Sequence, residues 1–401
     1  MDKNFIVRTT SENMRLFEGK RPTITHLDIE LTERCNNNCI HCYINLPGDD
    51  VNAKSRELST NQWKDILDQA ADLGALSVRF TGGEPLLRED FSELYLHARR
   101  LGLKVVLFTN ARLITKELAE LFTQIPPLRK IEVTVYGMHS KSYDVITRSP
   151  GAFNEFRHGV ELLLKNEIPF GLKSVLLPMN RWEMEEFECW AATIPGMQTP
   201  SYSVNLDYRA RRDLPEKNKI IKRMRFTPEE TVALASLTEE VYRKDMARFS
   251  EKFLHPQGDE LFSCGAGSNG SVDAYGNYQM CLLLRHPETV YDLSKGSLRE
   301  GRTQVFPEYR KRKAKNPAYL ARCAKCFLKG LCLQCPARSW MEYGNLETPV
   351  EYLCQVAHAQ AVYLGLLEEG EKSWEIEDWQ KRIANFVKRE LGHEYMGTIE
   401  G

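Results

Sequence analysis

The stretch THLDIELTERCNNNCIHC, residues 25–42, decides the fold. Residues 25–32 read as a strand, which runs directly into a loop carrying Cys35, Cys39 and Cys42. Loops that follow strands of a parallel α/β sheet lie at its carboxyl edge, where ligands bind. Three thiolates on one short loop can hold three corners of a 4Fe–4S cube. The fourth iron is then left open to a substrate or cofactor. Zinc is the competing reading, because His41 beside Cys42 could complete a closed four-ligand site. A metal-free core triplet is the third, and the polar Asn36, Asn37 and Asn38 oppose it.

Outward from this stretch, strand-like and helix-like segments alternate. Strands are expected at 25–32, 76–83, 103–110, 130–137, 170–178 and 201–210, with helices over 60–74, 89–101, 115–124, 151–166 and 181–193. Ser59 or Thr60 stands at the start of the first helix and Gly74 near its end, as helix boundaries favour. Such alternation specifies a parallel sheet with right-handed crossovers. The fold class is α/β: a partial (β/α)6 barrel with a small Cys-rich C-terminal iron–sulfur domain and a C-terminal helix. Six units suit a partial barrel better than the closed eight-stranded form.

The expected organisation is an N-terminal segment (1–24), the barrel (25–210), a charged bridging helical segment (211–258), a Cys-rich domain (259–360) and a C-terminal helix and tail (361–401). A helix start is expected at Thr227-Pro228-Glu229-Glu230, where proline and acidic residues suit the first turn. Trp374, Trp379, Ile383, Phe386 and Val387 are spaced like one face of helices.

With 42% hydrophobic residues among 401 and a net charge of −1, the chain is a globular protein with no charge-driven affinity for nucleic acid or membrane surfaces. The run Lys311-Arg312-Lys313 with Lys315 reads as a solvated helix face. No apolar run approaches the ~20 residues of a membrane span, and the first residues lack the apolar stretch of a signal peptide. A cytoplasmic location is expected. Eleven cysteines in a reducing compartment argue for metal rather than disulfides. Cys189 stands alone on an expected helix and reads as a core residue.

One βα unit after the triplet comes Thr81-Gly82-Gly83-Glu84-Pro85. Glycines let a backbone approach a ligand without a Cβ clash, and the loop offers carbonyls and a carboxylate to an ammonium. The triplet spacing C-x3-C-x2-C after an opening strand, followed by this loop, closely resembles the radical S-adenosylmethionine (radical SAM) superfamily. The resemblance implies a 4Fe–4S cluster on Cys35, Cys39 and Cys42, with the loop Gly82, Gly83, Glu84 and Pro85 binding the methionine amino group of SAM. It also implies that His41 lies near the adenine, where an aromatic residue is more usual. By fold position, Asn110, Tyr136, Lys173 and Ser174 are further candidates for the SAM pocket. The implied chemistry is reductive cleavage of SAM to a 5′-deoxyadenosyl radical, which abstracts hydrogen from the substrate. A low-potential flavodoxin or ferredoxin would be the electron donor.

The C-terminal cysteines are Cys264, Cys281, Cys323, Cys326, Cys332, Cys335 and Cys354. The two C-x2-C pairs are five residues apart, too close for a zinc ribbon, whose pairs are separated by roughly 12–20 residues. Seven thiols also exceed one tetrahedral zinc. The pattern resembles the SPASM domain, which implies two auxiliary 4Fe–4S clusters. Carried over by order, Cys323, Cys326, Cys332 and Cys354 would hold the outer cluster, and Cys264, Cys281 and Cys335 the inner one. The spacing between Cys332 and Cys335 departs from the family by one residue. Some relatives supply an eighth cysteine a few residues before the first, but residues 255–263 hold none, so the resemblance implies an open or non-Cys site on the inner cluster, for which His255 and Asp259 are candidates.

SPASM-containing enzymes mostly modify peptides or proteins. The resemblance therefore implies a radical SAM oxidoreductase acting on a precursor peptide, in maturation of a ribosomally synthesised peptide. The modification would be a crosslink, an epimerisation or a related change. The catalytic acid or base is not identified by the sequence. The family's leader-gripping domain has no room in residues 1–24, so a separate leader-binding protein is an expected partner. The alternatives are oxidation of a small metabolite or porphyrin side chain, and sulfatase-type maturation. Leu282 opposes the latter, because that group has an aspartate after the cysteine equivalent to Cys281. A non-catalytic iron–sulfur carrier is opposed by the intact Gly82-Gly83-Glu84 loop.

Overall fold

The computed structural model describes residues 22–197 and 200–392. These fall into two compact units. The first runs to Ser203 and adds Asp207–Arg223 and Gly265–Tyr309; the second comprises Val204–Leu206, Met224–Cys264 and the chain from Arg310 onward.

The first unit is built on β1 (His26–Thr32), β4 (Ser77–Gly82), β5 (Lys104–Thr109), β6 (Leu128–Val135), β7 (Phe170–Val175) and β8 (Ser201–Ser203). Each pairs in parallel with the next. These are the six strands expected. β2 (Arg34–Cys35) and β3 (Leu46–Pro47) form a small separate ladder in the cysteine loop. Crossover helices span Thr60–Asp72, Phe91–Arg100, Lys116–Gln124, Ala152–Lys165 and Met184–Ala191. Ser59 and Gln62 form a capping box at the first of them. Leu27, Ile29 and Leu31 on β1 and Trp63, Ile66 and Leu67 on the first crossover helix are all buried. The sixth strand ends at Ser203, well short of the expected 210, and helices Val51–Arg56 and Ser140–Thr147 were not expected.

The expected domain boundary at 259 is not where the chain divides. β9 (Ser271–Val272), β10 (Asn277–Gln279) and β11 (Val290–Asp292) extend the sheet in the order β11-β10-β9-β1. β9 pairs with β1 in parallel, so open backbone groups at the edge of β1 draw residues 265–309 into the first unit. The bridging segment divides likewise, with residues 211–223 in the first unit and 224–258 in the second.

In the second unit Thr227 and Glu230 form a capping box on helix Pro228–Ala235. Helices Glu239–Phe253, Glu351–Leu364 and Trp379–Leu391 surround a core that includes Leu254, Phe327, Leu328, Ala361, Ile383, Phe386 and Val387. Lys311–Lys315 lie outside any helix, contrary to expectation. Lys313 pairs with Glu260 in an isolated bridge and its Nζ lies 3.1 Å from Asp259. Cys189 is exposed rather than in the core, because helix Met184–Ala191 turns Phe187 and Ala191 inward instead. The terminal segments 1–21 and 393–401 lie outside the described residues.

Candidate active site

The cysteine loop leaves the carboxyl end of β1 and is fastened on three sides within the first unit. Asn38 N–H donates to the Thr147 carbonyl (2.9 Å) and Ile40 N–H to the Ile146 carbonyl (3.0 Å). The Arg112 guanidinium donates to the Asn36 carbonyl at 2.6 Å and also to Asn37 Oδ1. Asn110 Nδ2 donates to Asn36 Oδ1 at 2.8 Å.

Backbone amides point at the sulfurs. Asn37 N–H lies 3.3 Å from Cys35 Sγ and Asn45 N–H 3.4 Å from Cys42 Sγ. Burial pushes the Cys39 thiol up to about 12, with Cys42 repulsion adding and a Tyr136 hydrogen bond opposing. Burial also raises Cys35, and the neighbouring Cys39 adds to it. A metal must therefore bind if these groups are to be thiolates. Among the described residues no three His, Cys, Asp or Glu side chains close on a single-ion site. Of the three sulfurs on this loop, two are thus met by backbone amides.

The Gly82–Pro85 loop packs on the root of this cysteine loop. Gly83 N–H donates to the Thr32 carbonyl (2.7 Å) and Glu84 N–H to the Arg34 carbonyl (2.9 Å). The Glu84 carboxylate is buried and spent on the protein. It accepts from Thr109 Oγ1 (2.9 Å), Leu86 N–H (3.2 Å) and Asn110 N–H (2.8 Å). It therefore ties the loop to the end of β5. Burial raises it to about 7 against those three donors.

His41 and Tyr136 have ring centroids 5.9 Å apart. His41 Nδ1 is enclosed without a hydrogen-bond partner. Desolvation, with Lys217 nearby, lowers the ring to about 4, so it is neutral. Lys173 and Ser174 are engaged elsewhere. Lys173 Nζ lies over the Phe108 ring, 3.0 Å from its centroid, and 3.7 Å from Glu132. Ser174 Oγ donates to the Val135 carbonyl at 2.8 Å, on the opposite sheet face from its neighbour.

Sequence reasoning missed a group of buried polar residues behind the loop. Asn45 Nδ2 donates to the Asn37 carbonyl (3.1 Å), and its Oδ1 accepts from Lys217 Nζ (2.6 Å). Fully buried Arg209 donates to the Asn45 carbonyl (3.1 Å) and makes a two-pronged pair with Asp213. Before the loop, Arg285 joins Glu30 and Glu33, and Arg211 joins Glu33 and Asp273. Nothing in a charged stretch marks such residues as buried. Only their chain neighbours' partners do.

In the second unit Cys323, Cys326, Cys332 and Cys354 line one cavity, with Arg322 and Lys329 in its wall. These are the four thiols grouped by order in the sequence. Cys264 and Cys335 belong to the second unit and Cys281 to the first. Asp259 is engaged by Lys313, and His255 Nδ1 lies 3.2 Å from the Pro256 carbonyl.

Residues 29–190 match the Radical SAM superfamily. The chain is 32% identical over 155 residues to the AdoMet-dependent heme synthase of Methanosarcina barkeri, covering 39% of this chain and 43% of that one. It is 45% identical over 91 residues to the PqqA peptide cyclase of Streptomyces rochei, covering 23% and 24%. The chain thus spans less than half the length of these curated relatives. Its fold resembles that of native anSMEcpe with bound AdoMet, at TM-score 0.59 and 15% identity, over 91% of this chain and 99% of that one. A further structure of native anSMEcpe holds AdoMet and a Kp18Cys peptide. Among the described residues no helix is long and apolar enough to cross a membrane.

Proposed function

We propose that the chain is a radical SAM enzyme, on the match of residues 29–190 to the Radical SAM superfamily, and that it modifies a peptide, in maturation of a ribosomally made precursor. The observation that carries the reading is the backbone pairing of the glycine loop with the cysteine loop. Gly83 donates to Thr32 and Glu84 to Arg34, which joins an open-site cysteine triplet to a loop fit for an ammonium. The cluster on Cys35, Cys39 and Cys42 would supply the electron that cleaves SAM and so yields the radical that takes a substrate hydrogen. The chain's own residues hold that chemistry in place. Asn37 and Asn45 amides solvate the sulfurs, Glu84 fixes the glycine loop to β5, and His41, Tyr136 and Asn110 border the nucleoside side. Lys173 and Ser174, engaged elsewhere, fall outside this contact set.

Two auxiliary clusters belong to the same proposal, the outer on Cys323, Cys326, Cys332 and Cys354. A flavodoxin or ferredoxin donates electrons, a separate protein grips the leader, and the setting is the cytoplasm. The PqqA peptide cyclase and the peptide-bound anSMEcpe support a peptide substrate. Similarity to an AdoMet-dependent heme synthase supports a second reading, oxidation of a porphyrin side chain.

Anaerobically reconstituted protein with a strong reductant is expected to release 5′-deoxyadenosine, and the joint Cys35→Ala, Cys39→Ala, Cys42→Ala variant to release none. Continued SAM cleavage by that variant would put the active cluster elsewhere. Mass spectrometry of a peptide encoded beside the gene, co-expressed with the enzyme, separates the two substrates. A mass change on the peptide supports maturation. An unchanged peptide together with turnover of an iron porphyrin supports the second reading.

A further inference from the structure

The wall of the four-cysteine cavity contains an ammonium that no carboxylate neutralises. Lys329 is 8% exposed. It donates to the Tyr319 hydroxyl and lies 4.5 Å from the centre of that ring. Among the described residues no acidic side chain pairs with it. It lines the same cavity as Cys323, Cys326, Cys332 and Cys354. An ammonium buried without a counter-charge is costly, and neutral thiols do not offset that cost. Thiolates on a metal cluster do. The cavity is therefore built for anionic contents.

A second cation stands behind Cys354. Arg322 forms a two-pronged pair with Glu351 at 2.6 and 3.0 Å, and its Nη2 lies 3.5 Å from Cys354 Sγ. The guanidinium is held over the Trp374 ring at 4.8 Å, and Trp374 in turn meets the His358 ring edge-on at 5.5 Å. His358 Nδ1 is 2.8 Å from the Cys354 carbonyl. Arg322 is thus fixed in orientation while Glu351 offsets its charge. Lys329 is not offset.

We propose that Lys329, assisted by Arg322, sets the reduction potential of the outer auxiliary cluster by stabilising its reduced form. The inference rests on the proposed cluster at Cys323, Cys326, Cys332 and Cys354. With four thiolates a 4Fe–4S centre takes one electron from the low-potential donor and its net charge becomes one unit more negative. No bond forms and no proton moves. A fixed cation in a low-dielectric wall favours the more negative form. The two residues are positioning residues that act through the cluster and touch no substrate.

The test is a reductive titration of the full reconstituted chain, followed by electron paramagnetic resonance, with iron content measured in parallel. Cys323→Ala with Cys354→Ala first identifies the outer cluster's signal. If that variant loses neither iron nor signal, the underlying cluster assignment fails, whatever Lys329 does. With the signal identified, Lys329→Met is expected to shift its midpoint to more negative potential, at unchanged iron and with the other signals in place. Lys329→Arg should return it towards wild type. Glu351→Gln, which leaves Arg322 uncompensated, should shift the midpoint the other way, and it decides the matter if Lys329→Met fails to retain the cluster. A midpoint that stays at the wild-type value in the cluster-retaining variants overturns the proposal.

Discussion

Gly83 lies against Arg34 so closely that a Cβ on the glycine would stand 2.2 Å from the Arg34 carbonyl oxygen. At Gly82, whose φ is +126°, the same atom would stand 2.1 Å from the Thr32 carbonyl oxygen. Both obstacles are backbone, so no side chain can swing aside. The two glycines are required by the cysteine loop's own root before any ligand is considered.

Gly83→Ala is therefore expected to push the glycine loop off the cysteine loop. SAM affinity should fall by at least about tenfold, or ~1.4 kcal/mol, in equilibrium dialysis with reconstituted protein. Wild-type affinity in this variant would mean that the pairing of Gly83 with Thr32 and of Glu84 with Arg34 does not position the ligand.

Glu84→Gln tests whether the carboxylate ties the loop to β5. One oxygen accepts from Thr109 and Leu86, the other from Asn110. An amide places an NH2 against at least one backbone N–H in a buried site. A buried group left without its partner costs about 1–3 kcal/mol. Denaturant unfolding should register that loss. Unchanged stability would show that the three donors can find other acceptors.

The six parallel strands, their crossovers and the glycine loop were legible because period and turn chemistry are local. The triplet was legible because three cysteines within eight residues stand out on one short loop. What was not legible depends on distant partners. Residues 265–309 join the first unit because Ser271 and Val272 pair with Asp28 and Ile29, and two-residue strands leave no periodic signal. Cys189 was misjudged because the helix face that turns inward is set by Phe187 and Ala191 rather than by the thiol. Arg209 and Lys217 sit in charged stretches that read as surface, and Arg285 follows the apolar run Leu282–Leu284. Their burial follows only from Asn45 and Glu30, far away in sequence.

The Glu30 group predicts a pH dependence of stability. Burial, the leading cause, holds the Glu30 carboxyl up at about 7; Arg285 opposes this, while Glu33 and Asp273 add to it. Between the ordinary value of 4.5 and about 7 the folded chain binds a proton that the unfolded chain has lost. This contribution is fully present below the unfolded value and is lost as pH rises through the folded one. It amounts to at most about 3 kcal/mol. Urea unfolding of Glu30→Gln, which keeps an acceptor for Arg285, should show a flatter profile across that window than wild type. An unchanged slope would assign the dependence to other groups.

Asn45 predicts how firmly the first cluster is held. Its amide N–H reaches Cys42 Sγ at 3.4 Å, its Nδ2 holds the Asn37 carbonyl, and its Oδ1 is the acceptor for the buried Lys217 ammonium at 2.6 Å. Asn45→Leu is similar in size and preserves the backbone N–H, but it removes all three side-chain bonds, the third being from Arg209 Nη1 at 3.4 Å, and leaves the Lys217 ammonium without its acceptor. Lys217 must then swing away or lose its proton, and either change opens the back of the loop. Three 4Fe–4S clusters correspond to about 12 irons per chain, and selective loss of the first leaves about 8. We expect Asn45→Leu to bind iron near the lower figure after desalting, with 5′-deoxyadenosine release falling in proportion to the missing iron. Stoichiometric zinc in either protein would replace the cluster reading of the C-terminal cysteines. Full iron retention in Asn45→Leu would show that the loop is held by Arg112 and the strand-end contacts alone.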